Sequence, residues 1–167
     1  WLISETGDRY LDCASGIAVN TLGHSHPRLV AALIEQAGKL WHTSNLYRIP
    51  GQEAVAKLLA SLSGLDQVFF CNSGAEATEA AVKIARRAAY EKGELERVTI
   101  LCAKGAFHGR TLGMLAATDR PLFRTGFGPM PAGFDHVPFG DLNALRDSLS
   151  PHVAAVMVES VQGEGGA

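Results

Sequence analysis

The chain has 167 residues, of which 47% are hydrophobic and 19% charged, and its formal net charge is −2. This composition is that of a globular protein with enough chain for one modest core. The near-neutral charge without Lys/Arg clusters argues against a nucleic-acid or membrane-surface partner, and the apolar runs are too short to span a bilayer. The three cysteines are odd in number and widely spaced, which favours reduced thiols and a cytoplasmic location.

The first fifty residues are predicted to form an N-terminal segment of hairpin, loop and helix. A small hairpin turns at Gly7, and a loop rich in glycine and histidine follows over residues 13–27. His24 and His26 invite a metal interpretation, but two imidazoles without a third ligand are weak evidence for one. We therefore predict a hydrogen-bonded loop and no metal site.

Two helices are predicted next. The first begins at Pro27, and the second carries apolar residues at helical spacing and ends near Gly64. The intervening segment 41–51 is rich in hydrogen-bonding side chains and is expected to be irregular. It can carry function or serve as a plain connector.

A strand, a small-residue turn and a helix follow in immediate succession. The apolar run 68–71 predicts a strand, and alanines at a 3.6-residue period predict a helix directly after the turn. The first turn of a helix has unpaired N–H groups and a partial positive charge, and Gly74 and Ala75 carry little side chain to block them. The hydroxyls of Ser73 and Thr78 could add donors. The pattern indicates either a phosphate site or an ordinary turn with Ser73 as the helix N-cap.

The remainder of the chain alternates strands with helices. Strands are predicted at 98–103 and 153–158, residues 119–140 form a long excursion rich in proline and glycine, and Asp141 caps a short helix. This alternation predicts an α/β fold with a mainly parallel sheet and helices on both faces, in which ligands bind beyond the carboxyl ends of the strands. The strand order is not readable.

Two further polar motifs follow predicted strands. In the first, Phe107 could stack on an aromatic ring, and Arg110 could bind a carboxylate bidentately. In the second, Glu159 and Glu164 lie in a glycine-rich loop, where Glu164 could hold an arginine. The alternatives are core packing for Phe107, a surface cation for Arg110 and a solvated loop for the two glutamates.

Three motifs taken together resemble those of the class III (ornithine-type) aminotransferases, which use pyridoxal 5'-phosphate (PLP). They are Ser73-Gly74-Ala75-Glu76-Ala77, Phe107-His108-Gly109-Arg110-Thr111 and the loop 159–166. The segment 16–27 is particularly similar to the branch of this family that acts on an acylated ornithine. The resemblance implies the fold type I (aspartate aminotransferase-like) PLP-dependent transferase fold. Residues 51–167 would be an incomplete PLP-binding large domain, with the rest of that domain and a C-terminal domain beyond the chain.

The resemblance also implies the cofactor-binding residues. Gly74 and Ala75 would bind the PLP phosphate, with Ser73 beside them. Phe107 would stack on the pyridine ring, with His108 next to it.

Three residues are implied in substrate binding. Arg110 would bind the α-carboxylate of the substrate, and Glu159 would line the same pocket. Glu164 matches a glutamate that pairs with an arginine in ornithine-type relatives. Ser160 departs from the proline usual in relatives, which changes loop stiffness more than chemistry.

No catalytic residue is expected within this chain. The Schiff-base lysine and the pyridine-binding aspartate of the family are expected beyond residue 167, so the chain by itself is predicted to be an inactive fragment. None of the lysines considered matches the family's lysine: Lys39, Lys57, Lys83, Lys92 and Lys104.

The partners implied by the resemblance are a small amino donor, 2-oxoglutarate and a second copy of the protein with shared active sites, without nucleic acid or membrane. The resemblance favours transfer of the δ-amino group of N2-acetylornithine to 2-oxoglutarate. Succinylornithine, ornithine or 4-aminobutyrate as the donor, or a related aminomutase, are the alternatives. A non-catalytic phosphate-binding α/β module is the alternative of another class. The chain lacks the G-x-G-x-x-G and G-x-x-x-x-G-K-[ST] motifs typical of nucleotide-binding modules.

Overall fold

A computed structural model describes residues 1–166. They group into two compact units, one of residues 1–67 and one that begins at Val68. Within residues 1–166, no helix combines the length and the apolar character that crossing a membrane would take.

The first unit opens with the predicted hairpin. Strands β1 (Leu2–Ile3) and β2 (Arg9–Tyr10) are antiparallel, and Gly7 takes a left-handed φ of +87° in the turn between them. A four-residue turn, α1 (Ser15–Ala18), follows with positive φ throughout, including +60° at Ile17. A β-branched residue is rarely found in this left-handed conformation.

Asp12 organises the loop that contains α1. Its carboxylate accepts hydrogen bonds from the Ala14 and Ser15 N–H groups and lies 2.7 Å from His24 Nε2. These bonds, that to His24 first, hold the pKa of Asp12 below its usual value. The predicted hydrogen-bonded loop is therefore confirmed.

The two predicted helices of this unit are also confirmed. They are α2 (Pro27–Ala37) and α3 (Pro50–Ser63), and each begins with proline, whose fixed φ suits the first helical position. Gly64 ends α3 with a left-handed φ of +71°.

A three-stranded parallel sheet forms the second unit, in the order β4-β3-β5. Its strands are β3 (Thr99–Ala103), β4 (Phe134–Val137) and β5 (Val153–Met157). The central strand β3 is buried from Ile100 to Ala103. A strand covered on both faces reads as a continuous apolar run, and β3 does so.

Helices cover both faces of this sheet, as predicted. On one face, Val82 of α4 (Gly74–Glu91) and Met114 of α5 (Leu112–Ala117) pack with Ile100 and Cys102. On the other face, Leu145 of α7 (Leu142–Ser148) packs against Leu101. Asp141 caps α7 by accepting hydrogen bonds from two backbone N–H groups.

Two details of the predicted layout are wrong. The run 68–71 is not a strand, because within residues 1–166 it has no neighbouring strand to pair with. The excursion 119–140 contains a short helix, α6 (Pro121–Arg124), and the edge strand β4. Polar Asp135 and His136 interrupt the apolar pattern that normally marks such a strand.

Candidate functional site

The start of α4 combines a helix cap with two free donors. Ser73 Oγ accepts a hydrogen bond from the Glu76 N–H (3.2 Å), and the Glu76 carboxylate accepts one from the Asn72 N–H (2.6 Å). Within the described chain, this reciprocal cap leaves the N–H groups of Gly74 and Ala75 without a partner. A side chain at position 74 would meet nothing within 4 Å, so the space beside the first of these donors is open.

Thr78 does not offer its hydroxyl as an additional donor for a phosphate. Its Oγ1 lies 2.7 Å from the carbonyl oxygen of His108 and also within 3.0 Å of two carbonyls in the preceding turn of α4. Because a hydroxyl has one hydrogen, Thr78 is occupied by these carbonyls. The bond to His108 joins α4 to the loop after β3, which the sequence could not reveal.

Gly109 explains how closely that loop approaches α4. Its φ is +134°, and a Cβ atom here would lie 3.0 Å from the Ala75 Cβ and 3.2 Å from the Met114 Cβ. Only glycine fits such a contact without displacing backbone. The unpaired donor at Ala75 and the loop of Phe107, His108 and Arg110 therefore share one site.

Phe107 is half-buried, and both its backbone and its ring have defined partners. Its N–H donates to Glu159 Oε2 (3.0 Å), which joins the loop after β3 to the loop after β5. Its ring meets the Phe123 ring nearly at right angles (82°), with centroids 6.0 Å apart. Phe123 was not predictable as a site residue, because it lies in α6, whose four residues are too few to give a helical period.

His108 is the most buried of the predicted site residues, with 6% of its surface exposed. Its backbone is held from both sides, since its N–H donates to Thr118 Oγ1 (3.1 Å) and its carbonyl accepts from Thr78. Its buried Nε2 has no hydrogen-bond partner among the described residues. Burial lowers the pKa of the imidazole, and although the charge of Glu159 opposes that shift, the net direction favours a neutral ring.

Arg110 is exposed and forms no ion pair with any residue that the structure describes. Its guanidinium carbon lies 4.7 Å from the centroid of the Phe123 ring and 5.9 Å from that of Phe107. Glu164 pairs instead with Arg120, with 3.6 Å between the carboxylate and the guanidinium, and its carbonyl accepts a second bond from the same side chain. The site therefore contains one arginine paired with glutamate and a second, Arg110, that lies beside two aromatic rings.

Gln162 is a structural residue that the sequence barely indicates. It is 3% exposed, and its Nε2 donates to the Lys104 carbonyl (2.9 Å), which joins the loop after β5 to the loop after β3. Gly105 lies directly against it, because a Cβ there would be 3.0 Å from Gln162 Oε1. A single glutamine just before the glycines of the 159–166 loop was the only indication in the sequence.

The chain belongs to the class III aminotransferases: the pattern of the Aminotransferase class-III family matches residues 1–167. This confirms the predicted family, whose members depend on PLP. Among curated proteins, the chain is 54% identical over 166 residues to acetylornithine aminotransferase of Agrobacterium fabrum and 53% identical over 165 residues to that of Halalkalibacterium halodurans. Both alignments cover 99% of this chain but only 42% and 41% of the relatives. The chain therefore spans about two fifths of their length.

Solved structures place the fold in fold type I of the PLP-dependent transaminases, as predicted. Ornithine aminotransferase from Toxoplasma gondii superposes with a TM-score of 0.92 at 34% identity, covering 98% of this chain and 39% of that one. An (S)-enantioselective omega-transaminase from Thermomicrobium roseum gives a TM-score of 0.89, also at 34% identity, and covers 99% of this chain and 42% of its own.

The residues present fit PLP. A phosphate needs donors and open access; the N–H groups of Gly74 and Ala75 supply the donors, and the space beside Gly74 is open. A heteroaromatic ring needs an aromatic face and polar partners, and the same site holds Phe107 and the unpaired buried Nε2 of His108.

Proposed function

We propose that the full-length protein transfers the δ-amino group of N2-acetyl-L-ornithine to 2-oxoglutarate. The products are N-acetylglutamate 5-semialdehyde and glutamate, a reaction of arginine biosynthesis. The observation that carries the proposal is the proximity of two unpaired helix donors to a loop with an aromatic ring and an unpaired arginine. The choice of donor is supported by the 54% identity to an acetylornithine aminotransferase.

In this proposal, Gly74 and Ala75 bind the phosphate of PLP through their N–H groups. Two such bonds act with the partial positive charge of the helix N-terminus, which contributes about 0.3–2 kcal/mol to anion binding. Ser73 contributes by fixing the start of the helix, because its hydroxyl oxygen already accepts the Glu76 N–H. PLP, when bound, supplies an electron sink for the carbanion formed at the substrate carbon.

Phe107 and His108 orient the ring of the cofactor. Offset stacking on Phe107 contributes about 0.5–1.5 kcal/mol beyond area burial. The bond from the Phe107 N–H to Glu159 and the two backbone bonds of His108 keep this loop in one conformation before anything binds. Such preorganisation reduces the entropy lost on binding.

Arg110 binds the α-carboxylate of the amino donor. A guanidinium presents five N–H donors in a planar fork that matches a carboxylate, and those of Arg110 are not engaged by any carboxylate of the described chain. Glu159 lines the pocket next to the Phe107 backbone, while Glu164 fixes Arg120 at its border.

We also propose that the protein is a cytoplasmic homodimer. The first unit leaves large apolar side chains exposed, among them Trp41 at 87% and Leu62 at 76%, and in this proposal the rest of the full-length protein and a second copy cover them. Free thiols at Cys13, Cys71 and Cys102 suit a reducing compartment. Sedimentation of the full-length protein tests the assembly: a dimer mass is expected, and a monomer at micromolar concentration would contradict it.

Transamination by the full-length protein tests the reaction. We expect a visible absorption band of bound PLP. Among N2-acetylornithine, N2-succinylornithine, ornithine and 4-aminobutyrate, kcat/KM should be highest with N2-acetylornithine. A protein that binds PLP without turning over any of these donors would be a non-catalytic module. A higher kcat/KM for another donor would replace acetylornithine with that substrate.

The Arg110→Ala variant tests the assignment of the carboxylate site. Losing a charge-assisted hydrogen bond costs about 1.5–3 kcal/mol, so kcat/KM for acetylornithine should fall by about 10- to 150-fold. Putrescine, a diamine without a carboxylate, should be affected little. Arg87→Ala is the matched control, because Arg87 is an exposed arginine that pairs with Glu91 along α4. Equal losses for both donors would refute the role of Arg110.

A further inference from the structure

Helix α6 is short but is held at both ends by arginines. Arg124 donates from Nε to the Leu115 carbonyl (3.0 Å) and from its terminal nitrogen to the Ala116 carbonyl (2.7 Å), near the end of α5. Arg120, which directly precedes α6, is paired with Glu164 in the loop after β5. These contacts fix the position of α6 and therefore of its side chains.

Phe123 projects from this helix toward the Phe107 loop. Its half-buried ring meets Phe107 edge to face, and the guanidinium of Arg110 lies closer to the Phe123 ring (4.7 Å) than to the Phe107 ring (5.9 Å). Both distances are within the roughly 6 Å over which an aromatic face attracts a cation. Phe123 is thus the nearest aromatic contact of the Arg110 charge.

An aromatic partner differs from a carboxylate partner in one decisive respect. A carboxylate would neutralise the guanidinium and occupy its N–H groups, so a substrate carboxylate would have to displace it. A ring attracts the cation through its face but accepts no strong hydrogen bond, so the five N–H donors remain available. The ring also limits the conformations that a long, exposed arginine side chain can sample.

We propose that Phe123 is a positioning residue that holds the guanidinium of Arg110 ready for the carboxylate of the amino donor. This inference rests on the proposed function, in which Arg110 binds that carboxylate. Phe123 itself touches neither substrate nor cofactor in this proposal, and it acts through Arg110.

The test compares Phe123→Leu with Phe123→Tyr in the full-length protein. Leucine keeps apolar bulk but removes the aromatic face, and tyrosine keeps that face. Phe123→Leu should raise KM for acetylornithine about 3- to 10-fold at nearly constant kcat, while Phe123→Tyr stays near wild type. The dissociation constant of glutarate, a dicarboxylate that cannot react, should rise by the same factor in calorimetry. Single-turnover amino transfer from putrescine, a step that involves no carboxylate, should not change.

A double variant separates this inference from the proposed function. In the Arg110→Ala background, Phe123→Leu should have no further effect on glutarate binding, because the residue through which it acts is gone. If Arg110→Ala weakens glutarate binding and Phe123→Leu does not, the role of Phe123 is refuted and that of Arg110 stands. If Arg110→Ala itself leaves glutarate binding unchanged, both assignments fail. Additive effects of the two substitutions would also overturn the positioning role.

Discussion

Replacing Gly109 with alanine tests the contact that joins the two halves of the proposed cofactor site. The new Cβ would lie 3.0 Å from the Ala75 Cβ and 3.2 Å from the Met114 Cβ, well inside van der Waals contact. Met114 is fully buried in the core, so it cannot move away. The displacement must fall on the loop and on the first turn of α4, where the Ala75 N–H is a proposed phosphate donor.

The magnitude follows from two costs. A non-glycine residue held at a φ of +134° costs about 1–3 kcal/mol, and overpacking against a rigid neighbour costs about 1–3 kcal/mol. We therefore expect Gly109→Ala to lower the free energy of unfolding by about 2–6 kcal/mol. Gly93→Ala is the matched control, since Gly93 also has a positive φ (+77°) but nothing lies within 4 Å of its Cβ position. There we expect a loss of about 1–2 kcal/mol, from the left-handed conformation alone.

Two measurements on the full-length protein check this reasoning. Urea unfolding of both variants gives the difference in stability, and equilibrium titration gives the dissociation constant of PLP. Gly109→Ala should be less stable than Gly93→Ala and should bind PLP more weakly, whereas Gly93→Ala keeps normal affinity. Equal stabilities of the two variants, or normal PLP affinity in Gly109→Ala, would refute the close contact between this loop and α4.

Three further predictions concern buried groups. Thr78→Val leaves the His108 carbonyl without its donor and should lower the free energy of unfolding in urea by about 1–3 kcal/mol. The control Thr125→Val should lower it by less than about 0.5 kcal/mol, because the Thr125 hydroxyl donates within its own exposed turn. Burial lowers the pKa of His108, so as the pH falls below about 6.5 the unfolded chain binds a proton at this residue before the folded chain does. The free energy of unfolding should therefore decrease as the pH falls toward the lower pKa of the folded state. His108→Gln should reduce this pH dependence. Burial, followed by the charge of Asp135, raises the pKa of Cys102 to about 12, so iodoacetamide at pH 8 should label this thiol only after unfolding, as peptide mapping would show. A flat pH profile of stability, or labelling of native Cys102, would contradict the corresponding environment.

Local chemistry explains which elements were predictable from the sequence. Pro27 and Pro50 mark helix starts and Gly64 a helix end, because each has a backbone preference that acts without distant contacts. The parallel sheet was predictable in kind because β3 is apolar along its buried length. These features depend only on neighbours a few residues away in the chain.

The contacts that assemble the candidate site were not predictable, because they join residues far apart in the chain. The Thr78 hydroxyl meets a carbonyl 30 residues later, and the Phe107 N–H meets a carboxylate 52 residues later. The role of Phe123 depends on α6, whose four residues are too few to give a helical period. The family motifs were therefore recognisable from the sequence, but the interactions that hold their residues were not.

The affinity of the full-length protein for PLP in the Gly74→Pro and Gly74→Ala variants tests the central claim most directly. Proline suits the first position of a helix and removes only the N–H there, and the extended Ser73 (φ −152°, ψ 162°) tolerates a following proline. Alanine adds a side chain in open space and keeps the N–H. Gly74→Pro should weaken PLP binding about 10-fold or more, while Gly74→Ala should bind PLP nearly as tightly as the wild type. Binding of pyridoxal, which lacks the phosphate, should change little in either variant. Equal PLP affinities for the two variants would contradict a phosphate site at the start of α4.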